Sequence, residues 1–225
     1  MKKYVLIAAG GDGKRMGSAV PKQFIEIAGK PVLMHVFHAF LSYAPDIQFI
    51  LALPESYIED WKKLCRKHHF EIHHQQVTGG PTRFHTVKNG LRFVPDDSLV
   101  AIHDAARPLV SLNTISRVFH FAEKFGNAIP VLKSIDSVRL IEGPGNRPLD
   151  REKIRMVQTP QCFLGVLIKK AYHKNYHESF TDDATVLETD GARLFLVDGN
   201  AENIKITTPA DLIVAEMLIK KQSIH

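Results

Sequence analysis

From residue 4 to residue 132, apolar runs of strand length alternate with longer segments of helical period. "YVLIAA" (4–9) reads as a buried strand and "VLMHVFHAFLSY" (32–43), just behind Pro31, as a helix. "IQFILAL", "EIHHQQV", "SLVAIHD" and "NAIPVL" are further strands, with helices expected in "ESYIEDWKKLCRKHH", "RFHTVKNGLRFV" and "NTISRVFHFAEKF" between them. This rhythm predicts an α/β fold whose mostly parallel sheet carries helices on both faces. Residues 133–153 break the rhythm. There "GPGN" separates two short strand-like pieces, which reads as a β-hairpin arm. Such a hairpin needs a surface to pack on, and a second copy of the chain would supply one. A helix over 164–177, a short helix in "DDATVLETD", a strand in "RLFLVDG" and a last helix from about 209 complete the expectation of a single domain over 1–225.

The 225 residues, 44% of them hydrophobic, suffice for one substantial core. Cys65 and Cys162 are too few for a disulfide framework, which suits a reducing compartment. The start "MKKYVLIAA" imitates a secretory signal, but its apolar run is short and breaks into "GGDGKR". No stretch approaches the ~20 apolar residues of a membrane span. A cytoplasmic protein without membrane contact is expected. Net charge of +5 favours anionic partners. Because the basic residues are dispersed and no zinc-finger, RRM or basic-zipper pattern occurs, a small phosphate ester is expected rather than nucleic acid.

The first strand runs into "GGDGKRMGSAVPK", at the sheet edge where ligands of such folds bind. Its glycines let backbone N–H groups turn inward, and Arg15 and Lys22 add the charge that phosphate oxygens require. The P-loop pattern fails, because Gly13-Lys14 is followed by Arg15. The dinucleotide pattern fails because Met16 holds the last glycine position. An anion-binding loop of another kind is expected.

Further segments share this character: "TGGPTRFHTV" (78–87), "HDAARP" (103–108), "DREKIRMVQTPQCF" (150–163), "TDDATVLE" (181–188) and "NIKITTPADL" (203–212). In this order, over about residues 4–216, the chain resembles the 2-C-methyl-D-erythritol 4-phosphate cytidylyltransferases. The resemblance implies a three-layer Rossmann-like nucleotidyltransferase fold, a Mg²⁺ requirement, and a homodimer joined through the arm. It implies a reaction of CTP with a sugar-alcohol phosphate, methylerythritol phosphate, that gives the CDP-alcohol and pyrophosphate. It implies that Arg15 and Lys22 stabilise the transition state and that Arg151 and Lys205 position the attacking phosphate. It further implies that Ala8, Ala9, Gly10, Gly80, Thr86, Asp104 and Ala105 contact the nucleotide, with Asp104 also a metal partner. Arg107, Thr181 and, from the arm, Ser137 are implied to contact the second substrate.

A phosphate monoester attacking a triphosphate brings two anions together, so such a site must cancel charge and align the reactants. Two rival readings stand beside this one. Ribitol 5-phosphate cytidylyltransferases share several motifs but tend to read "HDSVRP" where this chain has "HDAARP", and Asn where this chain has Asp150. A non-catalytic CTP-binding regulatory domain would have no need of Arg151 and Lys205. The paired histidines His68-His69 and His73-His74 lack the acidic or Cys partners of a zinc site and are expected to be solvated; His35 and His38, three apart on a helix, lack such partners too. Phe37, Phe40, Phe119 and Phe121 are core candidates.

Overall fold

A computed structural model describes residues 1–10 and 20–222. Along the chain lie β1 (Lys3–Ala8), a small hairpin of β2 (Glu26–Ile27) and β3 (Lys30–Pro31), α1 (Val32–Tyr43), β4 (Gln48–Leu53), α2 (Ile58–Lys67), β5 (Gln75–Thr78), α3 (Arg83–Leu91) and β6 (Leu99–Asp104). There follow α4 (Leu112–Phe125), β7 (Asn127–Lys133), β8 (Val138–Glu142), β9 (Gly145–Leu149), β10 (Arg155–Val157) and β11 (Gln161–Leu164). The chain continues with α5 (Gly165–Ala171), α6 (Asp183–Glu188), β12 (Leu196–Asp198) and α7 (Pro209–Gln222).

The main sheet has the order β10-β7-β11-β6-β1-β4-β5, with β12 added on β7. β1 pairs in parallel with both β4 and β6, so its apolar run is covered on both faces. Side chains alternate accordingly. Val5 and Ile7 join Phe37, Phe40, Trp61, Ile115 and Phe119 from α1, α2 and α4. Leu6 joins Phe84, Val87, Ile168 and Val186 from α3, α5 and α6 on the opposite face. Three layers result, as the alternation of elements requires.

Register then places the functional edge. Ala8 lies beside Ala52 of β4 and Asp104 of β6, so the carboxyl ends of the parallel strands open together. β11 runs antiparallel to β6, pairing Gln161 with Ile102. Its beginning therefore arrives where β6 ends, and "QTPQ" meets "HDAARP". A third apolar cluster, of Ile27, Val32, Ala106, Leu109, Ile206 and Ala215, fastens α7 and the strandless segment before it to the same edge.

Polar caps fix the helix starts nearest that edge. Thr82 accepts the His85 N–H at the head of α3, Ser111 accepts the Thr114 N–H at the head of α4, and Asp182 accepts the Thr185 N–H at the head of α6. The expected hairpin is present as β8 and β9, paired only with each other among the described residues, with Ile141 exposed. The helix expected over 164–177 stops at Ala171: after Tyr172 the N–H groups of His173 and Lys174 bond only three residues back, to the Lys170 and Ala171 carbonyls, in a tighter turn. The short apolar stretch "QCFL", which the sequence reading did not treat as a strand, forms β11 and sits between β6 and β7. No described helix is long and apolar enough to cross a membrane.

Candidate active site

Asp104 closes β6 with its side chain only 11% exposed, and three cations surround it. Arg83 Nε donates to Oδ1 at 3.2 Å, Lys205 Nζ lies 2.7 Å from Oδ2, and Arg107 Nε is 3.8 Å from Oδ2. Burial alone would raise the Asp104 pKa. The attraction of Arg83, Lys205 and Arg107 outweighs it and holds the carboxyl well below the usual carboxylate range. Asp104 is therefore an anion at any physiological pH.

The turn that follows is set by a chain of hydrogen bonds through the interior. The Asp104 N–H donates to Thr159 Oγ1 at 3.1 Å. The Thr159 hydroxyl lies 3.1 Å from His103 Nδ1, and His103 Nε2 lies 3.0 Å from the Arg107 carbonyl. A carbonyl only accepts, so Nε2 carries the proton and Nδ1 accepts from Thr159. Burial drives the His103 pKa down to about 4, which keeps that tautomer neutral. Arg107 in turn donates through Nη1 to the Asn203 carbonyl at 2.7 Å, and Asn203 Nδ2 donates to the Thr159 carbonyl at 2.8 Å. Segments distant in sequence are thereby tied into one wall.

Two cavities share this wall. The first, about 280 Å³, is lined by Ala8, Ala9, Gly10, Lys22, Thr86 and Ala105 among others. The second, about 160 Å³, has Arg107, Gln158, Thr159, Thr181 and Asp182 in its lining. Arg83, Asp104 and Lys205 line both. Lys22 reaches the first cavity with its Nζ 2.8 Å from the Ile206 carbonyl, tying the loop end to the segment that carries Lys205. Gly80 stands just behind it. Its N–H donates to the Thr86 hydroxyl at 3.0 Å, and that hydroxyl donates back to the Gly80 carbonyl at 3.3 Å.

The structure thus gathers Ala8, Ala9, Gly10, Lys22, Thr86, Asp104, Ala105, Arg107, Thr181 and Lys205 around two adjoining spaces. Arg15 and the glycines Gly11 and Gly13 lie outside the described residues. Arg151 and Ser137 are not brought to either cavity. Arg151 is exposed beside the hairpin and donates to the Ile135 carbonyl at 2.9 Å, and Ser137 is exposed just ahead of β8. The histidines are not all solvated. His74 Nε2 accepts from Trp61 Nε1 at 2.9 Å, and His35 Nε2 is 2.8 Å from the Ile27 carbonyl.

Arg83 is among the groups that "TGGPTRFHTV" offers an anion, yet sequence reading assigns it no role at the site and misses the partner of that arginine altogether. Arg83 makes a two-pronged contact with Asp183, Nη1 to Oδ1 at 2.9 Å and Nη2 to Oδ2 at 2.7 Å, and Asp183 is wholly buried. A second Asp directly after the helix cap in "TDDA" was the available signal, since Asp182 alone satisfies the cap.

A mostly parallel sheet whose carboxyl edge holds two cation-lined cavities around one ionised aspartate is the architecture of an α/β nucleotidyltransferase. Residues 3–221 match the family model described as 2-C-methyl-D-erythritol 4-phosphate cytidylyltransferase, and the chain belongs to that family. It is 46% identical over 219 residues to the enzyme of that name from Bacteroides thetaiotaomicron, covering 97% of this chain and 100% of that one. Identity to the Bacteroides fragilis protein of the same name is 47%, with the same coverage. The crystal structure of 2-C-methyl-D-erythritol 4-phosphate cytidylyltransferase from Thermus thermophilus superposes with a TM-score of 0.78 at 32% identity, covering 98% of this chain and 100% of that one.

Proposed function

We propose that this chain transfers a cytidylyl group from CTP to 2-C-methyl-D-erythritol 4-phosphate, giving 4-diphosphocytidyl-2-C-methyl-D-erythritol and pyrophosphate. The observation that carries the reading is the common wall: Arg83, Asp104 and Lys205 border both cavities, so ligands in the two spaces meet there. The nucleotide occupies the larger cavity against the small residues Ala8, Ala9 and Gly10, whose bare backbone admits a flat ligand closely. The acceptor occupies the smaller one, among Arg107, Thr159 and Thr181. Its phosphate oxygen attacks the α-phosphorus in line, the new P–O bond forms, and the bond to the departing pyrophosphate breaks. The nucleophile is already an anion and needs no base. The protein's work is to cancel repulsion and hold the reactants, with Lys22 and Arg15 on the triphosphate side and Lys205 on the acceptor side.

Mg²⁺ takes one or two carboxylates and completes its shell with substrate phosphates and water. Asp104, ionised and bordering both cavities, fits as that carboxylate. Among the described residues no group of three or more acidic, His or Cys side chains could cage an ion alone. Bound there, Mg²⁺ would neutralise charge on the phosphates. Arg151 borders neither cavity of its own chain, so its role on the acceptor phosphate requires a second copy. The strand β10 leads from its neighbourhood to Val157, which lines the smaller cavity, and Ile135, Ile141 and Met156 around the hairpin are exposed. These features support a homodimer in which the arm, with Arg151 and Ser137, completes the partner's site. The cytoplasm, where both substrates would be available, is the compartment proposed.

Pyrophosphate release is measured with CTP and either methylerythritol phosphate or ribitol 5-phosphate. Turnover with the first acceptor is expected. Turnover with ribitol 5-phosphate alone would assign the rival transferase. CTP binding without turnover on either acceptor would assign a regulatory domain.

A further inference from the structure

Arg83 borders both cavities, yet much of its hydrogen-bonding capacity is already spent. Nη1 and Nη2 hold the Asp183 carboxylate and Nε holds Asp104. A guanidinium has five N–H donors, so among the described residues two remain, one on each terminal nitrogen. Asp183 is fixed from its other side by the buried Tyr172, whose hydroxyl donates to Oδ1 at 2.6 Å. Charge pairing in the wall follows from this. The buried Asp183 takes one N–H from each terminal nitrogen of Arg83, while Nε stays on Asp104. Of the three cations around Asp104, Lys205 is the most accessible, its side chain 40% exposed against 28% for Arg83 and 13% for Arg107.

We propose that Asp183 and Tyr172 are positioning residues for the reaction: they lock the Arg83 guanidinium across the junction of the two cavities. That lock keeps the two remaining N–H bonds of Arg83 available to phosphate oxygens and makes Lys205 the exchangeable cation of Asp104. A fold-stabilising role accounts poorly for the cluster. A buried ion pair contributes little net stability compared with well-packed apolar side chains, so its retention beside a cavity calls for another reason. The arrangement also demands arginine. An ammonium group is a single point charge and cannot hold one carboxylate with two prongs while contacting a second. Tyr172 follows the end of α5 and Asp183 begins α6, so the lock links the acceptor wall to two helices that cover the sheet.

This inference rests on the transferase reading for its kinetic consequences and on geometry alone for the lock. Tyr172→Phe removes one hydroxyl and keeps the ring. It is expected to lower kcat roughly tenfold, as loss of a supporting hydrogen bond does at other sites. KM for CTP should stay within about twofold because nucleotide contacts are kept, and the melting temperature should fall by roughly 5 °C because the buried Asp183 loses one hydrogen bond while the packing of the ring is kept. Arg83→Lys keeps the charge and is expected to lose roughly 10²-fold in kcat through misplacement. The lock is read separately by nitrogen-15 NMR of the Arg83 Nε–H, which should exchange slowly with water in the wild type and faster in Tyr172→Phe. A Tyr172→Phe protein with wild-type kcat, or with unchanged Nε–H protection, overturns the proposal. A wild type that binds CTP without turnover overturns the transferase reading instead, and the exchange measurement still decides the lock.

Discussion

Acidification should strike this site through one buried imidazole, and the size of the effect follows from the geometry. His103 is fully buried, donates from Nε2 to the Arg107 carbonyl, and accepts at Nδ1 from Thr159. Thr159 Oγ1 already accepts the Asp104 N–H, so its hydroxyl proton is directed at Nδ1. Protonating Nδ1 would set two donors face to face in a buried space. Burial accordingly lowers the His103 pKa from 6.5 to about 4. In the unfolded chain the ring is protonated below about 6.5; in the folded chain it stays neutral down to about 4. Between those values the unfolded state binds more protons, so stability is greatest above pH 6.5 and falls as pH drops toward 4. Two and a half pH units at about 1.4 kcal/mol each set a ceiling of about 3 kcal/mol, with about 2–3 kcal/mol lost between pH 7 and pH 4.5. Urea unfolding at those two pH values is the assay, on the wild type and on His103→Gln. The variant is less stable overall but should lose about 2–3 kcal/mol less across the interval. His35 and His74, also lowered by burial, contribute equally to both proteins and cancel. Equal pH slopes in the two proteins would refute the reasoning.

Other perturbations test the site more directly. Lys22→Ala and Lys205→Ala should each reduce kcat by roughly 10²–10³-fold while the fold survives, since each removes one fixed charge from the reacting phosphates; wild-type turnover in either variant would break the assignment. Gly80→Ala would put a Cβ 2.3 Å from His85 Cβ and 3.0 Å from the His85 carbonyl carbon. The start of α3 must shift, at a cost of about 1–3 kcal/mol, and a thermal melt unchanged from the wild type would contradict the close approach. Mixing inactive Arg151→Ala with inactive Lys205→Ala should restore about a quarter of wild-type activity after subunit exchange, because half the dimers would then hold one site with both residues. No recovery would place Arg151 outside the partner's site.

The alternation of strand-length and helix-length segments determined the layered architecture by itself, because hydrophobic period is a local property of the chain. β1, β4, β6, α1 and α4 follow it closely, since each is long enough for its period to be read. The cationic loops and the order of "HDAARP", "QTPQ" and "NIKIT" likewise announced an anion site and its family. What local pattern could not supply was pairing at a distance. β11 has four residues and no period of its own; only its place between β6 and β7 makes it a strand, and only its antiparallel sense delivers Thr159 to Asp104. Asp183 is the second of two consecutive carboxylates at the start of α6, and its union with Arg83, 100 residues away, exists only because α3 and α6 cover the same face of the sheet. Arg151 carried a motif position in the sequence, yet the fold leaves it beside the hairpin, outside both cavities of its own chain. Side-chain chemistry is written residue by residue, whereas the distances over which charges compensate one another are set by chain topology, and those decided which cations share Asp104.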